Sequence, residues 1–350
     1  MINIKSITVY QINLPLKYPF ETSLNVLQNR EVIVLKVTNE DGRTGWGEIV
    51  AFSSPWYTEE TLQSALYTLK KFLAPLVLEK PLLHPVEAAQ LFNVIRGNHM
   101  AKSGLEGALW DLYSKLQKKS LSFLLGGRKH EVDAGVVIGL SKIENMIDDI
   151  HLRKEQGYKR FKVKIKPGND VKVIAQIREE FPTIPLMVDA NGTYTLKELS
   201  LLKQLDQFNL LMIEQPFLFN DFTMHAELQK RMGTPICLDE SINSLSDAKT
   251  AIALKSCKVM TIKPGKVGGL TEATNIHHLC REHNIPVWVG GMVETGISKS
   301  QNIALATLPN FTIPGDISES SRFFEQDILK KPITIHEGKS ESSYSIWYRS

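Results

Sequence analysis

Short apolar runs that alternate with amphipathic stretches limit the possible folds of this chain more than any other feature. Between residues 134 and 317, eight runs have the length and composition of buried strands, and stretches with helical periodicity separate them. Such alternation is typical of βα units and a parallel sheet. The predicted strands are 134–140, 161–166, 186–190, 210–216, 236–241, 259–264, 287–292 and 312–317.

Charged residues at the ends of these runs favour a closed barrel over a doubly wound open sheet. Five of them follow one another at intervals of 25, 25, 25 and 24 residues: Lys164, Asp189, Glu214, Asp239 and Lys263. In a barrel, equivalent strand ends form a ring at the mouth, where catalytic residues lie. An open sheet would spread the same positions along a line. The spacing therefore predicts an α/β barrel of the TIM type.

The first 125 residues differ in pattern from the rest of the chain. Residues 2–13 and 31–38 alternate like strands, whereas apolar residues recur three and four apart from about 59 to 124. Grouped strands followed by grouped helices indicate an α+β unit. Two of its segments, 14–25 and 52–58, are predicted to be loops.

Three aromatic residues in these loops, Phe20, Trp56 and Tyr57, are predicted to be exposed. In one interpretation they close over an apolar substrate and exclude water. In the other they pack the α+β unit against the barrel.

The composition excludes several classes of partner. The formal net charge is only +3, which gives no reason to expect a nucleic acid or an anionic membrane surface. Three cysteines cannot form a disulfide framework, and no apolar stretch is long enough to span a bilayer. We therefore expect a cytoplasmic protein that acts on a small molecule.

Three carboxylates at one barrel mouth repel one another and require neutralisation. A hard divalent cation with oxygen ligands provides it, and Mg²⁺ is suited to a site completed by water and substrate oxygens, with Mn²⁺ as a possible substitute. The alternative is that strand-end acids only cap helices or pair with surface lysines. Their equal spacing favours the metal.

Lysines are predicted on either side of these acids. On strand 161–166, Lys162, Lys164 and Lys166 share one face, which is either the barrel interior or a solvated surface. Lys263 ends another, otherwise apolar strand, which favours the barrel interior as the location of this lysine face. A lysine whose pKa is lowered by a cationic neighbour can remove a proton α to a carboxylate near pH 7.

Five motifs resemble those of the enolase superfamily, and the resemblance covers essentially the whole chain. They are KVK (162–164), VDAN (188–191), IEQP (213–216), LDES (238–241) and IKPGKVGG (262–269). The resemblance implies an N-terminal α+β capping domain, 1–125, over a modified TIM barrel of the (β/α)₇β type, 126–319. Residues 320–350 would return and complete the cap.

The resemblance also implies roles for individual residues. Asp189, Glu214 and Asp239 would bind Mg²⁺, Lys164 and Lys263 would form the acid/base pair, and Lys162 would modulate it. Further residues are expected near the substrate or the metal ligands: Asn191, Glu240, Phe20, Trp56, Tyr57, Gly291 and Met292.

Paired lysines are typical of the muconate-lactonising-like subgroup. Residues 287–296 lack the histidine of mandelate racemase-like members, and 312–318 lack the Asp-x-Asp of dipeptide epimerases. The chain is most similar to o-succinylbenzoate synthases and N-succinylamino acid racemases. Racemase-competent relatives usually carry arginine at the position of Lys266, and many relatives carry serine at that of Val137.

The expected activity is that of a carbon–oxygen lyase in menaquinone biosynthesis. It would dehydrate 2-succinyl-6-hydroxy-2,4-cyclohexadiene-1-carboxylate by α-proton abstraction and an enediolate intermediate. Racemisation of N-succinylamino acids is the alternative, alone or in the same enzyme, and a non-catalytic binding barrel is a third. A homo-oligomer is expected because the family forms several assemblies.

Overall fold

The N-terminal part of the chain forms a cap built on a three-stranded antiparallel sheet. The computed structural model describes residues 1–21, 25–78 and 80–342. Strands β1 (Ile4–Glu21), β2 (Val26–Asn39) and β3 (Thr44–Ile49) lie in that order across the sheet. The predicted strands 2–13 and 31–38 lie within β1 and β2, apart from residues 2 and 3.

Strand β1 is longer than the sequence predicted. The loop expected at 14–25 is wrong for 14–21, which continue the strand, with Phe20 opposite Leu27; residues 22–24 lie outside the described part. Pro15 did not stop the strand because β1 lies at the edge of the sheet, where a missing N–H breaks no ladder. The long ribbon of β1 and β2 carries Phe20 to the barrel. Segment 52–58 is irregular, as predicted.

Helices cover one face of this sheet. They are α1 (Leu62–Thr68), continued by a π-helical turn (Leu69–Leu73) into α2 (Ala74–Leu78), then α3 (Pro85–Phe92), α4 (His99–Gln117) and α5 (Leu121–Leu125). Helix α4 lies directly on β3, where glycines permit the close approach. A Cβ on Gly47 would overlap the carbonyl oxygen of Gly104 in α4.

The second part is a parallel barrel with helices outside it. Seven neighbouring strands form the sheet: β5 (Gly135–Ile138), β6 (Arg160–Lys164), β7 (Leu186–Asp189), β8 (Ile213–Glu214), β9 (Ile236–Leu238), β10 (Val259–Ile262) and β11 (Val287–Val289). The register aligns Lys164 with Asp189, and Asp189 with Glu214. The strand ends therefore lie side by side at one mouth.

The predicted eighth strand, 312–317, is not a regular strand. Isolated bridges join Phe311 to Val287 and Gly315 to Ala134. The Gly135 N–H donates to the Gly315 carbonyl over 2.7 Å, and the Asp316 N–H donates to that of Val289 over 2.8 Å. This segment thus closes the barrel between β11 and β5. Pro314 prevents a regular ladder because it has no N–H.

The outer helices and the tail complete the described structure. The helices are α6 (Ile143–Glu155), α7 (Val171–Glu180), α8 (Leu199–Gln204), α9 (Phe222–Arg231), α10 (Leu245–Leu254), α11 (Pro264–Val267), α12 (Leu270–Glu282) and α13 (Gly296–Ala306). Strand β4 (Glu131–Asp133) pairs antiparallel with β12 (Lys339–Glu341) in the tail. No helix among the described residues is long and apolar enough to cross a membrane.

The tail contacts both parts of the molecule. The Lys17 N–H in β1 donates to the carbonyl of Phe323 over 2.9 Å, whereas β12 pairs with β4 next to the first barrel strand. Residues 343–350 lie outside the described part. The division into a cap of 1–125 completed by 320–350 and a barrel of 126–319 stays a prediction.

Candidate active site

Each of the two lysines predicted to exchange protons is held by a strand-end carboxylate. Lys164 Nζ lies 2.6 Å from Asp189 Oδ2 and 2.7 Å from the amide oxygen of Asn191. Lys263 Nζ lies 2.6 Å from Asp239 Oδ2. All of these residues except Asn191 are buried. The predicted lysines and acids therefore meet at the mouth of the barrel.

Lys162 lies among acids rather than in an apolar wall. Its Nζ is 2.7 Å from Asp316, 3.2 Å from Glu214 and 3.4 Å from Asp189. Burial disfavours the ammonium, but these carboxylates outweigh burial and raise the pKa of Lys162 above its usual value. Lys162 is therefore a fixed positive charge behind Lys164.

Asp316 and Arg160 are site residues that sequence reasoning missed. The Asp316 carboxylate bridges Lys162 and Arg160, whose Nη2 lies 2.6 Å away. Burial alone would raise the pKa of Asp316, but the two cations lower it below its usual value. Asp316 ends the irregular eighth segment, so its strand-end position was the available signal.

The three predicted metal ligands offer a donor set that fits a hard cation. Glu214 Oε2 and Asp239 Oδ1 are buried and accept no hydrogen bond from any described residue. Burial and Asp189 raise the pKa of Glu214 well above its usual value, because both disfavour the ionised carboxylate. A bound cation would offset this unfavourable free energy. Among the described residues no three side chains are already arranged around a metal, because lysines contact each carboxylate.

Asn191 and Glu240 form the layer behind these acids. The Asn191 amide nitrogen donates to Glu240 Oε1 over 2.8 Å, and Glu240 Oε2 is buried without a partner. Burial and the nearby Asp239 raise the pKa of Glu240 to about 7. Asn191 thus links Glu240 to Lys164.

The mouth of the barrel and the cap enclose one cavity. Its empty volume is about 830 Å³, which includes space open to solvent. Of the predicted site residues, Glu214, Asp239 and Glu240 are not among those that line it. Those that do are Phe20, Trp56, Tyr57, Lys162, Lys164, Asp189, Asn191, Lys263, Gly291 and Met292.

The cap aromatics line this cavity and are half-buried rather than exposed, and their closing over a substrate stays a prediction. The Trp56 and Phe52 ring centroids are 4.6 Å apart. The Tyr57 hydroxyl accepts from Lys263 Nζ over 2.6 Å and donates to Asp239 Oδ2 over 3.1 Å. The cap therefore contributes a polar group to the site as well as an apolar wall.

Buried polar contacts fix the cap over the mouth. Glu48 in β3 accepts hydrogen bonds from the backbone of Thr295 at 3.0 Å and of Ser298 at 3.1 Å. Glu106 in α4 accepts from the Thr271 N–H at 3.2 Å, and burial raises its pKa to about 7. Gly269 leaves room for this carboxylate, because a Cβ there would overlap Glu106 Oε2.

Lys266 approaches the oxygen of the Asp239 carboxylate that Lys263 does not contact. Its buried ammonium donates to the carbonyls of Asp239 and Ile242 and lies 3.6 Å from Asp239 Oδ1. Burial lowers its pKa. Lys266 therefore contacts the carboxylate that holds Lys263.

Two family models cover most of the chain. Residues 4–126 match the mandelate racemase / muconate lactonizing enzyme N-terminal domain, and residues 145–343 match the enolase C-terminal domain-like family. The enolase-like fold expected from the motifs is thereby confirmed.

Individual relatives narrow the family further. The chain is 52% identical to an o-succinylbenzoate synthase of Bacillus subtilis, over 97% of this chain and 91% of that protein. It is 41% identical to an N-succinylamino acid racemase of Thermus thermophilus, over 93% of this chain and 89% of that protein.

A solved structure agrees with these sequence relatives. The crystal structure of an enolase superfamily member from Listeria innocua superposes with a TM-score of 0.95 at 40% identity, covering 98% of this chain and 92% of that one. The chain belongs to the enolase superfamily, in the family of o-succinylbenzoate synthases and N-succinylamino acid racemases.

Proposed function

We propose that this protein is a Mg²⁺-dependent o-succinylbenzoate synthase, which dehydrates 2-succinyl-6-hydroxy-2,4-cyclohexadiene-1-carboxylate. The observation that carries the proposal is the pair Lys164 and Lys263 lining one cavity, each held by a strand-end carboxylate. Relatives at 52% and 49% identity that bear this name support the choice of substrate.

Mg²⁺ would be held by Asp189, Glu214 and Asp239, with Mn²⁺ as a substitute. When bound, a divalent cation draws charge from the substrate carboxylate and acidifies the neighbouring C–H. The two buried carboxylate oxygens without hydrogen bonds support this choice of ligands.

Lys164 is the proposed base and acid of the dehydration. In its neutral form Nζ removes the α-proton, and the resulting ammonium gives a proton to the departing hydroxyl on the same face. The C–H and C–O bonds break, the ring becomes aromatic, and water leaves. Asp189 and Asn191 orient Nζ from two sides, over 2.6 and 2.7 Å.

Lys263 is proposed to remain charged during the dehydration. Burial opposes its ammonium, but Asp239 and Glu240 raise its pKa above the usual value. Its Nζ already lies 4.8 Å from the centroid of the Tyr57 ring. Above the substrate ring it would make a cation–π contact, worth about 2 kcal/mol when desolvated.

Racemisation of N-succinylamino acids is the second candidate. The two lysines lining one cavity and the Thermus relative favour it. The lysine at position 266 opposes it, since racemisation needs Lys263 as an acid and base. A single ammonium saturated by two carbonyls and Asp239 cannot present the planar fork of the arginine that is usual there.

A non-catalytic barrel is the least favoured alternative. Both lysines and all three acids are present and meet at one mouth. Loss of at least one of them would be expected in a barrel that only binds.

Turnover of the purified, Mg²⁺-loaded protein tests the proposal. We expect loss of the cyclohexadiene absorbance with wild-type protein and a fall in rate of at least about a thousandfold with Lys164→Ala, because Lys164 carries out both proton transfers in the proposed mechanism. Exposed Lys249→Ala is the matched control. Full activity of Lys164→Ala would show that the base is wrongly assigned.

Solvent deuterium separates the two candidate reactions. Deuterium exchange into N-succinylamino acids without turnover of the cyclohexadiene would identify a racemase instead. Turnover of the cyclohexadiene without exchange would identify a synthase alone.

We also propose that the protein works in the cytoplasm as a homo-oligomer. Cys237, Cys257 and Cys280 are free and buried, which suits a reducing compartment. Sedimentation at micromolar concentration tests the assembly, and a monomer would refute it.

A further inference from the structure

Two cations in the cavity wall have donors without acceptors. Lys299, in α13, is 2% exposed, and its Nζ has no hydrogen-bond partner among the described residues. Arg322, in the tail, has a buried Nη1 that also lacks a partner there. Both residues line the cavity that contains Lys164 and Lys263. Neither has a part in the proposed proton transfers.

The acids around Lys299 are occupied by other donors. Glu48 accepts from Thr295 and Ser298, and Asp327 accepts from the Gly296 N–H and the Ser320 hydroxyl. Within the described ranges no carboxylate oxygen comes within 4.0 Å of Lys299 Nζ. Lys299 therefore has counter-charges at a distance but no ion pair in this part of the chain.

Glu294 also lines the cavity and could pair with Lys299 if its oxygens were free. Both of its oxygens are engaged, one by the Asn302 amide at 2.9 Å and the other by the Met292 N–H at 2.5 Å. These donors hold its carboxylate away from Lys299, so the ammonium remains available.

Both cations lie near the ring of Phe323. Lys299 Nζ lies 5.6 Å from the centroid of the Phe323 ring, and the guanidinium carbon of Arg322 lies 5.9 Å from it. Arg322 Nη2 donates to the carbonyl of Val137 over 2.5 Å, which leaves Nη1 unpaired within the described structure. A charge-assisted hydrogen bond to an anion would satisfy both buried donors.

We propose that Lys299, together with Arg322, binds a second carboxylate of the substrate, at the free end of its acyl chain. This rests on the proposed function, in which the substrate carries a ring carboxylate and a succinyl carboxylate. The first would lie near Asp189 and Lys164, and the second near Lys299. N-succinylamino acids present the same two groups, so the site serves either candidate reaction.

Calorimetric titration of the Mg²⁺-loaded protein tests the site without turnover. The two probes are o-succinylbenzoate and its neutral isostere 2-(3-carbamoylpropanoyl)benzoate, which lacks only the terminal charge. We expect wild-type protein to prefer the dicarboxylate by about 10- to 100-fold, as one or two charge-assisted hydrogen bonds allow. Lys299→Met should reduce this ratio to within about threefold of unity, and Lys299→Arg should keep most of it.

Control variants separate recognition from folding. Lys249→Met, at an exposed lysine on α10, should leave the ratio unchanged. Arg322→Gln provides a second measurement should Lys299→Met not fold, and it should lower the same ratio. A wild-type protein that binds both probes equally, or neither, overturns the inference. So does a Lys299→Met variant that loses affinity for both probes to the same extent.

A different result would refute the proposed function. A wild-type protein that prefers the dicarboxylate but does not consume the cyclohexadiene would retain the carboxylate site and lose the synthase assignment.

Discussion

Replacement of Asp316 by asparagine tests whether its carboxylate stabilises the site by pairing with Arg160 and Lys162. Its carboxylate contacts Arg160 at 2.6 Å and Lys162 at 2.7 Å, and both cations are buried. An asparagine side chain at this position would have nearly the same shape and one carbonyl oxygen, but no charge. The substitution thus removes the counter-charge while leaving the packing in place.

The expected loss of stability follows from the contacts that each of the two cations keeps after the substitution. Lys162 keeps Glu214 at 3.2 Å and Asp189 at 3.4 Å, so it remains paired. Arg160 keeps the carbonyl of Pro314 and the face of Trp288, but no carboxylate within the described structure. One buried cation is therefore left without a counter-charge, which costs about 3 kcal/mol, the lower end for a broken buried pair.

Urea unfolding at pH 7 measures this loss. We expect Asp316→Asn to unfold about 3 kcal/mol more easily and to melt about 4 °C lower, whereas exposed Asp148→Asn should be neutral. The difference should shrink in acid, because the folded-state pKa of Asp316 lies below its usual value of 3.8 and the stabilisation is lost as pH falls through it. A loss under about 1 kcal/mol at pH 7 would refute the argument.

Three further substitutions test other parts of the molecule. Glu106→Gln removes a buried carboxyl whose pKa is raised from 4.5 to about 7 in the folded protein. The free energy of unfolding of the wild-type protein should therefore fall by about 3 kcal/mol between those pH values, and that of the variant should not. Equal changes in the two proteins between about pH 5 and 8 would contradict this. Tyr57→Phe removes a hydrogen-bond partner of Lys263 and should slow deuterium exchange by Lys263 by about tenfold, with less effect on dehydration. Equal losses would show that the hydroxyl serves both the exchange and the dehydration. Gly47→Ala should destabilise the cap by about 3 kcal/mol in thermal unfolding. Gly233→Ala is the control, because a Cβ there meets no described atom within 4 Å. Equal melting temperatures of the two variants would refute the close packing.

The strand-end ring could be predicted because it follows from one-dimensional spacing. Nearly equal intervals between Lys164, Asp189, Glu214, Asp239 and Lys263 reflect repeated βα units of nearly equal length. The register of the sheet places the first three side by side, and the other two directly follow their strands. The enolase-like fold and family followed from the motifs around these same positions, and both are confirmed.

The parts that could not be predicted depend on contacts between distant segments. Asp316 meets Lys162 across 154 positions of sequence, in an irregular segment with no regular strand around it. The extension of β1 through Pro15 depends on its place at the sheet edge, which no local pattern reveals. Lys299 lies on an ordinary helix, and only the tertiary structure shows that its ammonium is buried.

In the proposed mechanism, different parts of the cavity wall carry the catalytic residues and the residues that recognise the substrate. Strand ends of the barrel supply Lys164, Lys263 and the acids, whose positions are fixed by sheet register. The cap supplies apolar rings such as Trp56, and α13 and the tail supply Lys299 and Arg322. Acyl preference can therefore change through cap, α13 or tail residues without moving the proton-transfer groups.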